Sequence, residues 1–328
     1  MSLPPALPPA LQAKAAAGRP AGPQVPFDQA AIALLEAYDA GRSLPPPPPL
    51  TARDQASYQW LRACAGARPG HPPANPFPPG PARAEAEGLR ALFAATPTEA
   101  ILRLPNLSLT SPGSYLGLWR WGKAQVRAGA LDRAQRRAWE DRLLDGRGLD
   151  LVQGYAFRHA LCFALAEKDE ARLTALRAVT PEEQDDLYAL AQTTFGLLGQ
   201  TLPSVRLWTL PGLRLADGRL SDLGAPRVWI APYEGQLPRI PPGCAWVVPT
   251  LGGVAIPGEA QLDEVSTLEA APILKALTGS SLTGHLAPSR RDFERLGLVH
   301  FPILLRFDGE GRLLEVRMGD AAPSEPGF

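Results

Sequence analysis

Cys64, Cys162 and Cys244 are the thiols of this chain, and His71, His159, His285 and His300 its imidazoles. Disulfide exchange needs an attacking thiolate and a resolving partner, and a structural zinc site needs closely spaced ligand pairs. No cysteine stands in a CxxC pair or at a zinc-ligand spacing. The spacing therefore predicts a reducing compartment, no metal and no other cofactor. His159 and Cys162 lie three apart on an apolar stretch, which could form a thiol–imidazole pair but favours a buried, inert one. Ser280-Ser281 and His285 lack a G-x-S-x-G elbow, and Gly252-Gly253 lacks a P-loop lysine, so neither reads as a catalytic or phosphate-binding device. Cys244 opens a β-prone run and reads first as a strand-start residue. As a nucleophile it would be the one catalytic candidate, with Tyr233, Glu234 and His300 nearby.

The elements that must position these residues change character along the chain. In 328 residues with 45% apolar content there is material for two domains and a real core. Formal charge balances at zero, so no global field favours nucleic acid or an anionic membrane. No apolar run is long enough to span a bilayer, and the amino terminus lacks the pattern of a secretory signal, so a cytoplasmic location is expected. Residues 1–84 read as a Pro-rich arm, extended or polyproline II, with helices predicted over Phe27–Ala40 and Thr51–Ala65. Those helices dock either on a partner or on the rest of the chain, with Phe27, Leu35, Tyr38, Tyr58 and Trp60 as the partner-binding candidates. The run Pro45–Pro49 reads as a semi-rigid spacer, or as a ligand for an aromatic groove.

Residues 85–198 read as a helical domain, with helices over Arg83–Ala95, Leu116–Ala128, Leu131–Leu144 and Leu149–Ala166. The run LDRAQRRAWEDRLL is expected to be a solvated helix face. Trp119, Trp121 and Trp139 fall at helical spacing, which suits core better than a ligand pocket. Thr180-Pro181-Glu182-Glu183 has the residues of a helix start, predicting a helix to about Leu198 with Gly199 as its stop. After Gly199, short β-prone runs alternate with turns: Val205–Thr209, Leu213–Leu215, Arg227–Ala231, Ala245–Pro249, Ile303–Phe307 and Leu313–Met318. Helices are predicted between them at Leu268–Leu277 and Ser289–Leu296. The whole reads as α+β.

Gly199, Pro203, Gly218, Leu220-Ser221-Asp222-Leu223-Gly224 and Val228–Ala231 together resemble the opening of thioredoxin-like domains of the TlpA and peroxiredoxin-related kind. Gly297–Gly319 resembles the closing hairpin of that family. The resemblance covers residues 196–320 and implies a thioredoxin-like α/β sandwich over residues 199–322, with 323–328 as a tail. It also implies that Pro302 is a cis-proline preceded by Phe301. The family's dithiol follows the first central strand, where this chain reads Pro232-Tyr233-Glu234-Gly235-Gln236-Leu237-Pro238 without cysteine. Tyr233, Glu234, Phe301 and Pro302 would thus mark a vestigial site. The expected function is a non-catalytic interaction or structural scaffold with a protein partner, as a homo-oligomer or within a larger assembly. The alternative is a single-cysteine thiol oxidoreductase or peroxidase-like enzyme using Cys244 with an external thiol.

Overall fold

The computed structural model describes residues 26–39, 43–46, 50–145, 150–180, 184–210, 214–231, 240, 243–249, 284–287, 290–298 and 300–322. By internal packing the chain divides into two compact units, Met1–Phe157 and Arg158–Phe328.

The first unit is helical: α1 (Pro26–Asp39), α2 (Ala52–Gly66), α3 (Pro81–Ala94), α4 (Pro97–Arg103), α5 (Pro112–Arg127), α6 (Arg133–Leu144) and the start of α7 (Asp150–Ala166). Local chemistry sets their starts. The Thr51 side chain accepts from Asp54 N, Thr96 and Glu99 form a capping box ahead of Pro97, and Ser111 caps α5 ahead of Pro112. Helix α5 is the hub, and its glycines let neighbours approach closely. A Cβ at Gly113 would meet the Trp60 ring, one at Gly117 would meet Leu89, and one at Gly122 would fall inside the Trp139 indole. Trp119 stacks on Trp139 at 5.4 Å and on Tyr155 at 5.8 Å between ring centroids. Trp119, Trp121 and Trp139 are all buried, as core rather than pocket wall.

The run expected to be a solvated face is instead half committed to the core. Arg136 and Glu140 are buried and pair at 3.1 Å, beside buried Trp139, Leu143 and Leu144. Charge alternation alone misled here, because arginine stems pack well against apolar surface and one buried carboxylate neutralises the head.

The second unit is mixed. It holds the rest of α7, then α8 (Glu170–Arg177), α9 (Asp185–Gly196), β1 (Val205–Leu210), β2 (Arg214–Gly218), β3 (Arg227–Ile230), β4 (Cys244–Pro249), β5 (Gly284–Ala287), α10 (Arg290–Arg295), β6 (Ile303–Phe307) and β7 (Leu313–Met318). Lys168 at φ 53° breaks α7 from α8, and Asp169 caps α8 by accepting from Arg172 N. The Thr180 hydroxyl donates to Leu176 O at the end of α8, and α9 spans Asp185–Gly196; residues 181–183, where the expected cap would act, lie outside the described residues.

The strands form one seven-stranded sheet in the order β2-β1-β5-β4-β3-β6-β7. β3, β4 and β5 run parallel to their neighbours in that trio, and the remaining pairings are antiparallel. Central strands covered on both faces carry unbroken apolar runs, as in Val228-Trp229-Ile230 and Trp246-Val247-Val248, all buried. β6 alternates instead, with Ile303, Leu305 and Phe307 buried. The β6–β7 turn is built by Asp308, whose Oδ1 accepts from Glu310 N and Arg312 N, both at 2.9 Å. The architecture is therefore mixed α and β, and β5 is a strand the sequence did not announce. The expected helix Leu268–Leu277 and the run Gly252-Gly253 lie outside the described residues.

Candidate functional site

β3 sits in mid-sheet between β4 and β6, so the end of β3 at Ile230-Ala231 lies beside the start of β6 at Ile303. The Phe301–Pro302 peptide there is cis. Gly319 follows β7, and its N–H lies 2.9 Å from the carbonyls of both His300 and Pro302, which closes this corner of the sheet. Helix α7 contributes the other wall: a Cβ on Gly319 would lie 3.6 Å from Cys162 Sγ and 3.8 Å from His300 Cβ. Phe301 meets Phe293 of α10 edge-on at 6.2 Å between ring centroids. Burial together with the nearby Arg158 guanidinium lowers the His300 pKa to about 4, so the imidazole is neutral near pH 7.

The corner thus gathers an imidazole, a buried thiol and an arginine from chain segments far apart in sequence. His300 and Pro302 were expected to be there. Cys162 and Arg158 were not, since no local pattern links α7 to residues 300–319. Tyr233, Glu234, Ser280 and Ser281 lie outside the described residues. His285 is on β5, opposite Val247 and Thr209 in register. His159, three before Cys162, is buried with its ring 4.6 Å from that of Phe163.

None of the three cysteines forms a disulfide; Cys64 and Cys162 are buried and Cys244 is half-buried. Thiol chemistry requires a thiolate, and the environments push the other way. Burial raises the Cys64 pKa well above the ordinary thiol range, helped by the Glu85 carboxylate. Burial also raises that of Cys244, which Arg227, its register partner on β3, only partly offsets. Cys244 opens β4, as a strand-start residue should. Among the described residues no group of three His, Cys, Asp or Glu side chains could hold a metal ion.

The partner-binding candidates are used within the chain. Phe27, Leu35, Tyr58 and Trp60 are buried in the first unit, and the Arg120 guanidinium lies 5.2 Å from the centre of the Tyr38 ring. Trp60 Nε1 donates to Ser114 Oγ at 3.1 Å. This corrects the expectation that Phe27, Leu35, Tyr58 and Trp60 meet a partner, while Tyr38 is half-buried: α2 packs against α5, and a buried apolar side chain gains its transfer free energy inside the chain. Arg62 Nη1 donates to Pro45 O, tying the start of the proline run to α2, while residues 47–49 lie outside the described residues. Glu85, which nothing in the sequence singles out, is a buried carboxylate that accepts from the backbone N–H and hydroxyl groups of Thr110 and Ser111.

No protein-family model matches the chain, and no curated protein and no solved structure matches it. Among the described residues no helix is long and apolar enough to cross a membrane.

Proposed function

We propose that the protein is a non-catalytic scaffold that binds a protein partner, its second unit being a thioredoxin-like domain that lacks redox chemistry. One observation carries this reading. The mid-sheet strand β3, closed on one side by the β6–β7 hairpin, is followed by the sequence Pro232–Pro238, which holds no cysteine where the resemblance expects a dithiol. Cys244 on β4 of that sheet and Cys64 in the first unit both have raised pKa values, which makes them poor nucleophiles near neutral pH. The same shift at Cys244 weighs against the single-cysteine enzyme.

The test has two arms. The purified full chain is assayed for reduction of insulin disulfides against its triple Cys→Ser variant, and equal rates are expected; a rate well above the variant's overturns the reading. The full chain and a version lacking residues 1–25 are then used to recover proteins from source-cell lysate. A stoichiometric protein bound by the full chain supports the scaffold, and recovery of none by either form overturns it. The shorter deletion is preferred to removal of residues 1–84, which would strip buried Tyr58 and Trp60 from the core.

A further inference from the structure

Directly after α2 the chain turns back sharply. Arg68 and His71 bridge each other, Gly70 N–H donates to Phe93 O at 3.0 Å, and Arg120 Nη2 donates to Ala67 O at 3.4 Å. This anchored turn and the Pro72-Pro73-Ala74 segment form one wall of an open groove of about 390 Å³, and the last turns of α2 form the other. That volume lies at the lower end of the range of small-molecule sites, about 300–1,000 Å³.

The apolar lining is small: Ala63 on α2, Ala67 just after it, and Pro72 and Pro73. The polar groups on the lining are Gln59, Arg62 and His71, with no carboxylate among them. Glu87 is reached from the rim through Asn75 and is already held by Asn75 and Arg90. Arg62 is half-buried, bonded to the Pro45 carbonyl and close to the Tyr58 hydroxyl, and no described carboxylate pairs with it. A partly desolvated guanidinium without a counter-charge is costly, and one whose fork is held in place loses little entropy on taking an anion.

We infer that the α2–Pro72 groove binds a small organic monocarboxylate, its carboxylate on Arg62 with Gln59 and His71 as flanking donors, and its apolar body between the alanine and proline walls. The planar fork of one guanidinium matches a carboxylate bidentately, whereas the alanine and proline walls offer inorganic phosphate nothing. The inference is independent of the scaffold reading.

The probe is benzoate, titrated into the full chain by calorimetry, with benzamide as the neutral isostere and inorganic phosphate as the bare anion. Saturable binding of benzoate is expected, with neither benzamide nor phosphate competing. Arg62→Lys should weaken binding about tenfold or more, the loss of a charge-assisted fork. Because Arg62 also ties down Pro45, His71→Ala and Gln59→Ala serve as variants of exposed side chains, each expected to weaken binding several-fold with an unchanged thermal midpoint. Absence of saturable benzoate binding, equal binding of phosphate or benzamide, or benzoate affinity unmoved by His71→Ala and Gln59→Ala together would each overturn the inference.

Discussion

Glu85 is the residue whose charge contributes most visibly to the first unit. Burial raises its pKa, but the hydrogen bonds from Ser114, Thr110 and Ser111 outweigh it, and the net pKa is lowered. A carboxylate depressed in the folded state contributes stability above its unfolded pKa, and loses it as pH falls through the folded value. Glu85→Gln should therefore cost roughly 1–3 kcal/mol near pH 7, with the gap to the parent narrowing below about pH 4.5; urea melts across that range test it. His300 carries the same sign in a higher pH window. Its folded pKa of about 4 lies below the ordinary 6.5, so the unfolded chain binds its proton first as pH falls. Its contribution is intact above about pH 6.5 and declines toward pH 4, by about 3 kcal/mol in all. His300→Gln should flatten the pH dependence of stability in that window; an unaltered slope would show that the imidazole does not titrate there.

Among the elements, the tightest fits are glycines on crossing surfaces. Gly122→Ala drives a methyl into the Trp139 indole and should cost about 2–3 kcal/mol, an overpacking penalty. Gly129, at φ 64° with open space around its Cβ position, should cost only about 1 kcal/mol as alanine. Gly297, after α10, combines both faults: φ is 69°, and a Cβ would collide with the Leu190 carbonyl and the Thr194 hydroxyl of α9. Thr194 Oγ1 lies 3.1 Å from the Leu296 carbonyl, so this crossing is a hydrogen-bonded seam. Gly297→Ala should be the most damaging of the three, and thermal melts of the set give the order. A cost for Gly122→Ala no larger than for Gly129→Ala would mean that α6 retreats from α5 without loss.

For the whole molecule, the expected segments 1–84, 85–198 and 199–322 are cut by sequence texture, whereas the two compact units meet within α7, between Phe157 and Arg158. Within the second unit, Cys162 of α7 lies near Gly319, and Leu190 and Thr194 of α9 lie against Leu296-Gly297. A fragment of residues 150–328, which keeps α7 whole, should unfold cooperatively, while residues 199–328 should lose a sharp transition because its sheet corner and the Gly297 turn are stripped. Denaturant melts of both fragments decide it, and a sharp transition for 199–328 would show that α7 to α9 are dispensable. The sequence by itself determined the helix whose start it spells locally, at Thr51, and the strands whose alternation or apolar run is strong, at Ile303–Phe307 and Leu313–Met318. It also determined that the chain has no CxxC pair. Only the tertiary structure decided that the Pro-flanked helices α1 and α2 belong to the core, that Arg136 and Glu140 are buried, and that α7 faces His300 and Gly319. Those outcomes depend on contacts between residues far apart along the chain, and a local pattern carries the propensity to form an element but not the surface that element will meet.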